Sequence, residues 1–354
     1  MYWIVVISIF IPLVVLSLNN DVKKVNFIGI MILVLLFLLF GFNNGNQDYQ
    51  PYLDIFDAPE EYAEIGYVYL VGFVKLIGGS HSTLVFIIGL FYFATLLRAL
   101  VVFNGNVAVF FLIYFIYPFI FDITQIRNTI MFGFVLNALI FIYEGKWKSG
   151  WFFLVLGALF HNFGVIYFLV FLIYKFYGES IRKIIILGLV LLFILPLFMT
   201  YFLPYVVIGR FGSLAGNYIS PDLKIQSLLI WGGDIIFFIF VAYFLRSHVL
   251  SRVRYLNINY NSVDFLFKII VIHLIFLGFV LNFFEFNRVY RNVFLIRYLY
   301  LCVCIPVVSV NWKVFILIYM FINAFIFSFL TSTSLIGSYD FWGILTSNHI
   351  FDLF

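Results

Sequence analysis

The arginines of this chain stand out chemically because several of them interrupt apolar segments. In the stretch FDITQIRNTIMFGF, Arg127 follows Asp122 and Gln125 at the start of an apolar run. An arginine at membrane depth is costly, and a cation is disfavoured at the positive N-terminal end of a helix. A helix N-terminus with an arginine can, however, bind a phosphate. We predict that Arg127 binds phosphate; the alternatives are snorkelling or pairing with a structural carboxylate.

Asp122 and Gln125 have a simpler interpretation. Their spacing fits a capping box, in which Asp122 caps the start of the helix and Gln125 reaches back to it. This interpretation accounts for two of the three polar residues in the stretch and leaves Arg127 unexplained.

Four further arginines are candidates for binding phosphate. Arg288 and Arg291 are three residues apart and share a helix face. Two cations on one face need a common anion, either Glu285 or a ligand phosphate. Arg297 lies half a turn round from Arg288 and deep enough to face a cavity. Arg210, in a polar loop, completes the set.

A histidine and two carboxylates are the candidates for acid–base chemistry. His161, followed by Asn162, breaks a long apolar segment, and Asp48 and Glu64 flank aromatic runs in an acidic segment, 43–65. An imidazole or a carboxylate can accept the proton of an attacking hydroxyl group. A satisfied interior histidine is an equally good interpretation of His161, and most of the acidic segment is expected to be solvated surface.

The composition places these residues in a membrane protein. The chain has 354 residues, of which 65% are hydrophobic and 10% charged, whereas a soluble domain is about a quarter charged. We predict an all-α polytopic helix bundle. There is no basic domain or Gly-rich phosphate loop, so nucleic-acid binding is excluded and no cofactor is expected. Cys302 and Cys304 are predicted to be apolar filler rather than metal ligands.

About ten full spans are predicted, because a span needs about 20 apolar residues. The apolar runs cover residues 1–18, 27–42, 83–103, 107–121, 128–143, 184–203, 223–245, 264–283, 293–310 and 314–330. The first run is expected to be a retained span and not a cleaved signal. Two ambiguous segments are predicted to be a re-entrant or surface helix, 66–79, and a hairpin, 151–176.

The positive-inside rule orients these spans. The groups that it places in the cytoplasm are Lys23/Lys24, Lys146/Lys148, Arg182/Lys183 and the loop 246–263 with Arg246, Arg252 and Arg254. The acidic loop 43–65 then lies outside, and His161 marks the outer end of the hairpin. We predict a single transmembrane domain over 1–354. Its candidate arginines, carboxylates and histidine collect on the outer face, which indicates a lipid-linked phosphate substrate handled outside the cytoplasm.

Three segments carry a resemblance to a known family. QDYQPYLDIF, EIGYVYL and DITQIRNTIMFGFVLNALIFIYEGKWKSGWFFLVLGALFHNFGVIYF resemble, in order and spacing, the EpsG-like and Wzy-like bacterial polysaccharide polymerases. The family's motifs correspond to Asp48-Tyr49 with Tyr52 and Phe56, Glu64 with Gly66-Tyr67 (Gly-Tyr or Gly-Phe in the family), Ile126-Arg127 and Phe160-His161. The family commonly has Arg-Gln where this chain has Arg127-Asn128. The resemblance covers about residues 45–170, and FNRVYRNVFLIRY is a looser match.

The resemblance implies a polymerase of O-antigen or capsular repeat units with a GT-C-type glycosyltransferase fold. Such an enzyme joins oligosaccharides carried on undecaprenyl diphosphate at the outer, periplasmic face of the bacterial inner membrane. Arg127, Arg288, Arg291, Arg210 and Arg297 would bind the diphosphate without a metal ion, and His161, Arg127, Glu64 and Asp48 would be catalytic. Tyr49, Tyr52 and Tyr67 would contact the glycan. A chain-length regulator is an expected partner.

Three alternatives stay open. A flippase for the same lipid-linked unit would need cations near mid-membrane and usually two matched halves, whereas the charges here crowd one face and no repeat is visible. A membrane acyltransferase acting on the polysaccharide would be expected to carry an early histidine, and the first histidine here is His81. A scaffold subunit would not account for an arginine at a helix start.

Overall fold

The computed structural model describes residues 8–18, 22–201, 225–256, 261–282, 286–332, 346 and 348. Within these residues the chain is helical and contains no β-strand, so the all-α prediction is confirmed. An isolated β-bridge joins Asn43 to Asn348. Two residues named above, Arg210 and Glu285, lie outside the described residues.

The described helices follow the apolar runs. In chain order they are α1 (Phe10–Leu18), α2 (Val22–Gly41), α3 (Tyr49–Asp57), α4 (Pro59–Tyr62), α5 (Ile65–Leu76), α6 (His81–Phe103), α7 (Val107–Ile116), α8 (Phe119–Thr124), α9 (Ile126–Tyr143), α10 (Trp147–Phe160), α11 (Gly164–Tyr177), α12 (Ile181–Tyr201), α13 (Ile225–Leu256), α14 (Asn261–Ile272), α15 (Leu277–Asn282), α16 (Asn287–Cys304) and α17 (Val310–Ser332). A 3-10 turn, His273–Phe276, joins α14 to α15.

Six segments of the described helices are long and apolar enough to cross a membrane. They are Lys24–Gly41, His81–Phe103, Ile126–Tyr143, Leu228–Arg252, Asn261–Val280 and Val310–Leu330. Each overlaps one of the predicted runs, which supports a membrane protein; the total of about ten spans stays a prediction.

The predicted span 107–121 is interrupted by a proline. The run 107–121 forms two helices, because α7 ends at Ile116 and α8 begins at Phe119, directly after Pro118. Proline lacks the N–H that a helix interior needs, and it restricts the residue before it to extended backbone. A reading based on hydropathy alone misses this break because the residues on both sides of it are apolar.

The segments predicted to be loops and ambiguous helices have their own local structure. The acidic segment 43–65 contains α3 and α4, and the re-entrant candidate 66–79 forms most of the 12-residue helix α5. The hairpin candidate forms α10 and α11, which are separated at His161. Trp151 stacks against Phe168 with ring centroids 5.8 Å apart, so the chain folds back on itself there. The loop 246–263 begins as helix, since α13 runs on to Leu256.

The chain divides into two compact units. Met1–Phe168 and Leu301–Phe354 form the first unit, and Leu169–Tyr300 form the second. In the first unit α9 packs against α6 and α10, while α2 packs against α6 and α7. At Gly29 a Cβ atom would lie 2.7 Å from the backbone nitrogen of Ala108, so α2 and α7 approach closely because this residue has no side chain. In the second unit α12 packs against α14 and α15, and α13 packs against the same two helices.

Candidate functional site

The helical hairpin of α9 and α10 brings Arg127 and His161 to one end of the first unit. Gly145 makes the connecting turn with φ 76°, a conformation that favours glycine. Phe134 contacts Phe160 at 5.1 Å between ring centroids and Phe141 contacts Phe153 at 5.2 Å, so the helices run antiparallel. The residue after α10 therefore returns to the level at which α9 begins.

Arg127 has a carboxylate partner in this structure. Its Nη1 donates to Glu64 Oε2 at 2.9 Å and to the carbonyl oxygen of Tyr62 at 3.1 Å. The guanidinium carbon lies 5.9 Å from the centroid of the Tyr52 ring. The two charged side chains are 22% and 16% exposed, so the pair lies at a surface and is not enclosed.

Glu64 is held at the end of α10 by a close helix contact. It precedes α5, and its Oε1 lies 3.4 Å from the N–H of Asn162. Two residues on, a Cβ atom at Gly66 would lie 2.8 Å from the carbonyl oxygen of Leu159. Because glycine has no Cβ, α5 can lie close enough to α10 for the Glu64 carboxylate to reach both Arg127 and the turn after His161.

His161 is buried, and its ring orientation follows from a local hydrogen bond. Nδ1 accepts from the N–H of Phe163 at 3.2 Å, and the ring stacks on Phe163 at 5.3 Å between centroids. A neutral imidazole that accepts at Nδ1 carries its proton on Nε2. In this tautomer His161 is a hydrogen-bond donor at Nε2.

Helix α3 supplies the aromatic side of the site. Tyr52 is buried beside Arg127, and burial raises the pKa of its phenol. Arg127 opposes that shift in pKa, and Asp48, one turn earlier on the same helix, adds to it. Tyr49 lies against His81 at 5.3 Å between ring centroids. The structure thus brings Asp48, Tyr52, Glu64 and Arg127 into electrostatic contact.

The predicted capping box is wrong. The residue that caps α9 is Gln125, and it makes no side-chain cap hydrogen bond. Asp122 lies inside α8, where it is buried, and its Oδ2 accepts from the hydroxyls of Tyr92 at 2.7 Å and Tyr114 at 2.8 Å. Thr129 Oγ1 donates to the Asp122 carbonyl at 2.8 Å. These bonds tie α6, α7, α8 and α9 together immediately before Arg127.

Three predicted phosphate-binding arginines belong to the second unit. Arg288 and Arg291 lie in the first turns of α16, and Arg297 lies further along it. Arg297 is paired with Asp234 of α13: Nη1 contacts Oδ2, and Nη2 donates to Oδ1 at 3.1 Å. The guanidinium lies between two aromatic rings, 4.4 Å from the centroid of Phe238 and 4.3 Å from that of Phe294. An internal counter-ion and two rings account for this arginine without a ligand.

The sequence analysis did not identify Asp234 as the partner of Arg297, and it did not identify the partners of Asp122. Asp234 interrupts the apolar run 223–245 and was a detectable signal, because a lone acid at membrane depth needs a partner. The partners of Asp122 are tyrosines in other helices, and a local spacing rule cannot identify them. The Asn162 N–H and the Tyr62 carbonyl are backbone groups that the sequence gives no reason to single out.

Comparison with protein-family models matches residues 26–342 to the EpsG family, which extends well beyond the segments that carried the resemblance. No curated protein and no solved structure matches the chain. Together with its apolar helices, the match indicates a membrane enzyme of polysaccharide biosynthesis that is polymerase-like or glycosyltransferase-like. The chain belongs to the EpsG family.

Proposed function

We propose that the protein polymerises O-antigen or capsular repeat units carried on undecaprenyl diphosphate, at the outer face of the bacterial inner membrane. The observation that supports this most is the Arg127 site. It combines a cation at a helix start, a carboxylate and a histidine turn at one end of the first unit. In the proposed reaction the bond between the anomeric carbon and the phosphate oxygen breaks, and the anomeric carbon forms a new bond to a sugar hydroxyl oxygen of the acceptor unit.

Arg127 is proposed to bind the leaving diphosphate. Negative charge grows on the bridging oxygen as the anomeric bond breaks, and an arginine aimed at that charge stabilises the transition state. The N-terminal end of α9 adds the positive end of a helix dipole. A diphosphate carries more charge than a carboxylate and offers oxygens at the spacing of a guanidinium. It can therefore displace Glu64 from Arg127.

Glu64 and His161 are proposed to have different roles. Once displaced from Arg127, the Glu64 carboxylate is free to accept the proton of the attacking hydroxyl. His161 carries its proton on Nε2 when Nδ1 accepts from Phe163, so it suits donation to a phosphate or sugar oxygen better than proton abstraction. Asp48 is the second carboxylate at the site and is proposed to orient the acceptor with Tyr49.

The test is Arg127→Ala in a strain whose polysaccharide ladder depends on this protein. We expect the ladder to disappear while lipopolysaccharide bearing a single repeat unit remains, because substrate is still delivered but not joined. Removal of one such stabilising group typically lowers the rate by about 10²–10³-fold. The measurement is a silver-stained ladder with immunoblotting for protein level.

Two other results contradict the proposal in different ways. Loss of every repeat unit, single units included, indicates a flippase. An unchanged ladder at normal protein level removes the phosphate role of Arg127. A reporter fused after Gly178 tests the orientation separately. It should show cytoplasmic activity, and an external signal would refute the predicted hairpin 151–176.

A further inference from the structure

The buried hydroxyl group of Tyr67 is not explained by the packing of the described residues around it. The side chain is 0% exposed, and its oxygen has no hydrogen-bond partner among the described residues. A buried polar group without a partner destabilises the fold, and most such groups in proteins are satisfied. A phenylalanine would fill the same volume without that cost. Nothing in the packing of α5 therefore accounts for the hydroxyl.

A second buried donor, the Nε of Arg127, also has no hydrogen-bond partner among the described residues. The Nη1 of the same side chain is bound to Glu64 and to Tyr62. Tyr67 lies one turn after Glu64, the partner of Arg127, and its N–H donates to the Glu64 carbonyl at 2.9 Å. The charges of Arg127 and Glu64 act on the phenol of Tyr67, so its hydroxyl belongs to the same cluster. Two buried donors in one cluster are suited to a single shared acceptor.

The charge of the cluster defines that acceptor. One of the two donors belongs to a guanidinium, which cannot lose its proton in a protein. An anionic oxygen is the strongest acceptor for such a donor, and a phosphate oxygen suits a guanidinium N–H and a hydroxyl together. The cluster also lies at the N-terminal end of the 18-residue helix α9, where an anion is stabilised.

We propose that the Tyr67 hydroxyl and Arg127 Nε bind one phosphate oxygen of the lipid diphosphate. This inference rests on the proposed function and adds Tyr67 to it as a second phosphate-binding residue. Tyr62, at the end of α4, holds Arg127 through its carbonyl group, and none of the residues of α4 is buried. Binding moves α4 away from Arg127 and satisfies both donors.

The test is Tyr67→Phe in the purified full-length protein. The probe is undecaprenyl diphosphate, with inorganic diphosphate as a second probe, and the readouts are affinity and the thermal midpoint. We expect about 10- to 100-fold weaker binding of both probes, the effect of one hydrogen bond to a charged group. Without ligand, the midpoint should be unchanged or higher, because an unsatisfied hydroxyl has been removed.

Tyr300→Phe is the matched control. Its hydroxyl donates to the Ala242 carbonyl at 2.7 Å in the second unit. This variant should lower the midpoint and leave the affinity for both probes unchanged. A purely structural hydroxyl at position 67 would make Tyr67→Phe behave like the control.

Other results of these binding measurements show whether the inference about Tyr67 fails alone or the proposed function fails with it. The inference about Tyr67 is overturned if Tyr67→Phe binds with wild-type affinity or fails to fold. The proposed function stands in that case as long as Arg127→Ala abolishes binding. If Arg127→Ala binds both probes normally, the proposed function fails with it. A loss confined to a glycan-bearing lipid, with both diphosphates bound normally, shows that Tyr67 contacts sugar and also overturns the inference.

Discussion

Two arginines that look alike in the sequence have opposite environments in the structure. Arg297 and its partner Asp234 are 3% and 10% exposed, and the guanidinium is enclosed by Phe238 and Phe294. Arg127 and Glu64 are 22% and 16% exposed, and the Tyr52 ring centroid lies 5.9 Å from the guanidinium carbon, farther than either ring at Arg297. Each is an arginine paired with a carboxylate in a mostly apolar helical protein.

We interpret the difference as that between a structural ion pair at Arg297 and the proposed binding site at Arg127. Around Arg297 the protein supplies the counter-ion and the stacking surfaces, so removing the pair as a whole should be tolerated. Around Arg127 the protein supplies a counter-ion at a surface. A ligand can reach a partly exposed pair, whereas an enclosed pair has no room for one.

The largest effect is expected at the enclosed pair. Arg297→Ala leaves Asp234 as an uncompensated buried charge, which costs about 3–5 kcal/mol of stability. That is a large part of the net stability of a typical domain, and the measurement is the yield and thermal midpoint of the purified protein. The double variant Arg297→Met with Asp234→Leu should restore the folded protein and its ladder. A folded double variant without polymerase activity would place Arg297 in the function after all.

Glu64→Gln is expected to have the next largest effect, on activity and not on folding. The amide oxygen can still accept from Arg127, but it cannot take a proton from a sugar hydroxyl. A general base typically contributes 10²–10⁴-fold, so we expect the polymerisation rate of purified protein to fall by at least about 10²-fold. Asp234→Asn is the comparison at the other pair and should lower stability instead. If Glu64→Gln polymerises normally, Glu64 is only a counter-ion.

Arg127→Lys sharpens the distinction further. Lysine keeps the charge but loses the fork of N–H donors, so it cannot bind the phosphate oxygens in the geometry of a guanidinium. We expect a fall in rate of about 10-fold or more with an unchanged thermal midpoint. A wild-type rate would mean that charge alone is needed, and a lower midpoint would make Arg127 structural like Arg297.

The sequence predicts the helices of this protein better than the contacts between them. Apolar runs identify the spans directly, and Arg127 stands out because a charged residue in such a run is costly. The sequence also singled out Glu64, but it could not predict the pairing, which joins residues 63 positions apart. Asp122 was misassigned because a local spacing rule competed with partners up to 30 positions away. The break before α8 was missed because both flanks are apolar.

The smallest effect is expected at a third carboxylate, Asp122, which accepts hydrogen bonds from two tyrosines. Asp122 shares its Oδ2 between Tyr92 and Tyr114, so Tyr114→Phe removes one donor and leaves the other. We expect a loss of about 1–3 kcal/mol in unfolding free energy, the usual cost of losing a hydrogen bond to a buried charged group. The measurement is the thermal midpoint beside the polymerisation rate per folded molecule. A fall in stability at unchanged rate makes Asp122 a brace for α8 and α9. A fall in rate at unchanged stability would show that this buried carboxylate takes part in the chemistry at Arg127, and that enclosure alone does not distinguish structural from functional charges in this protein.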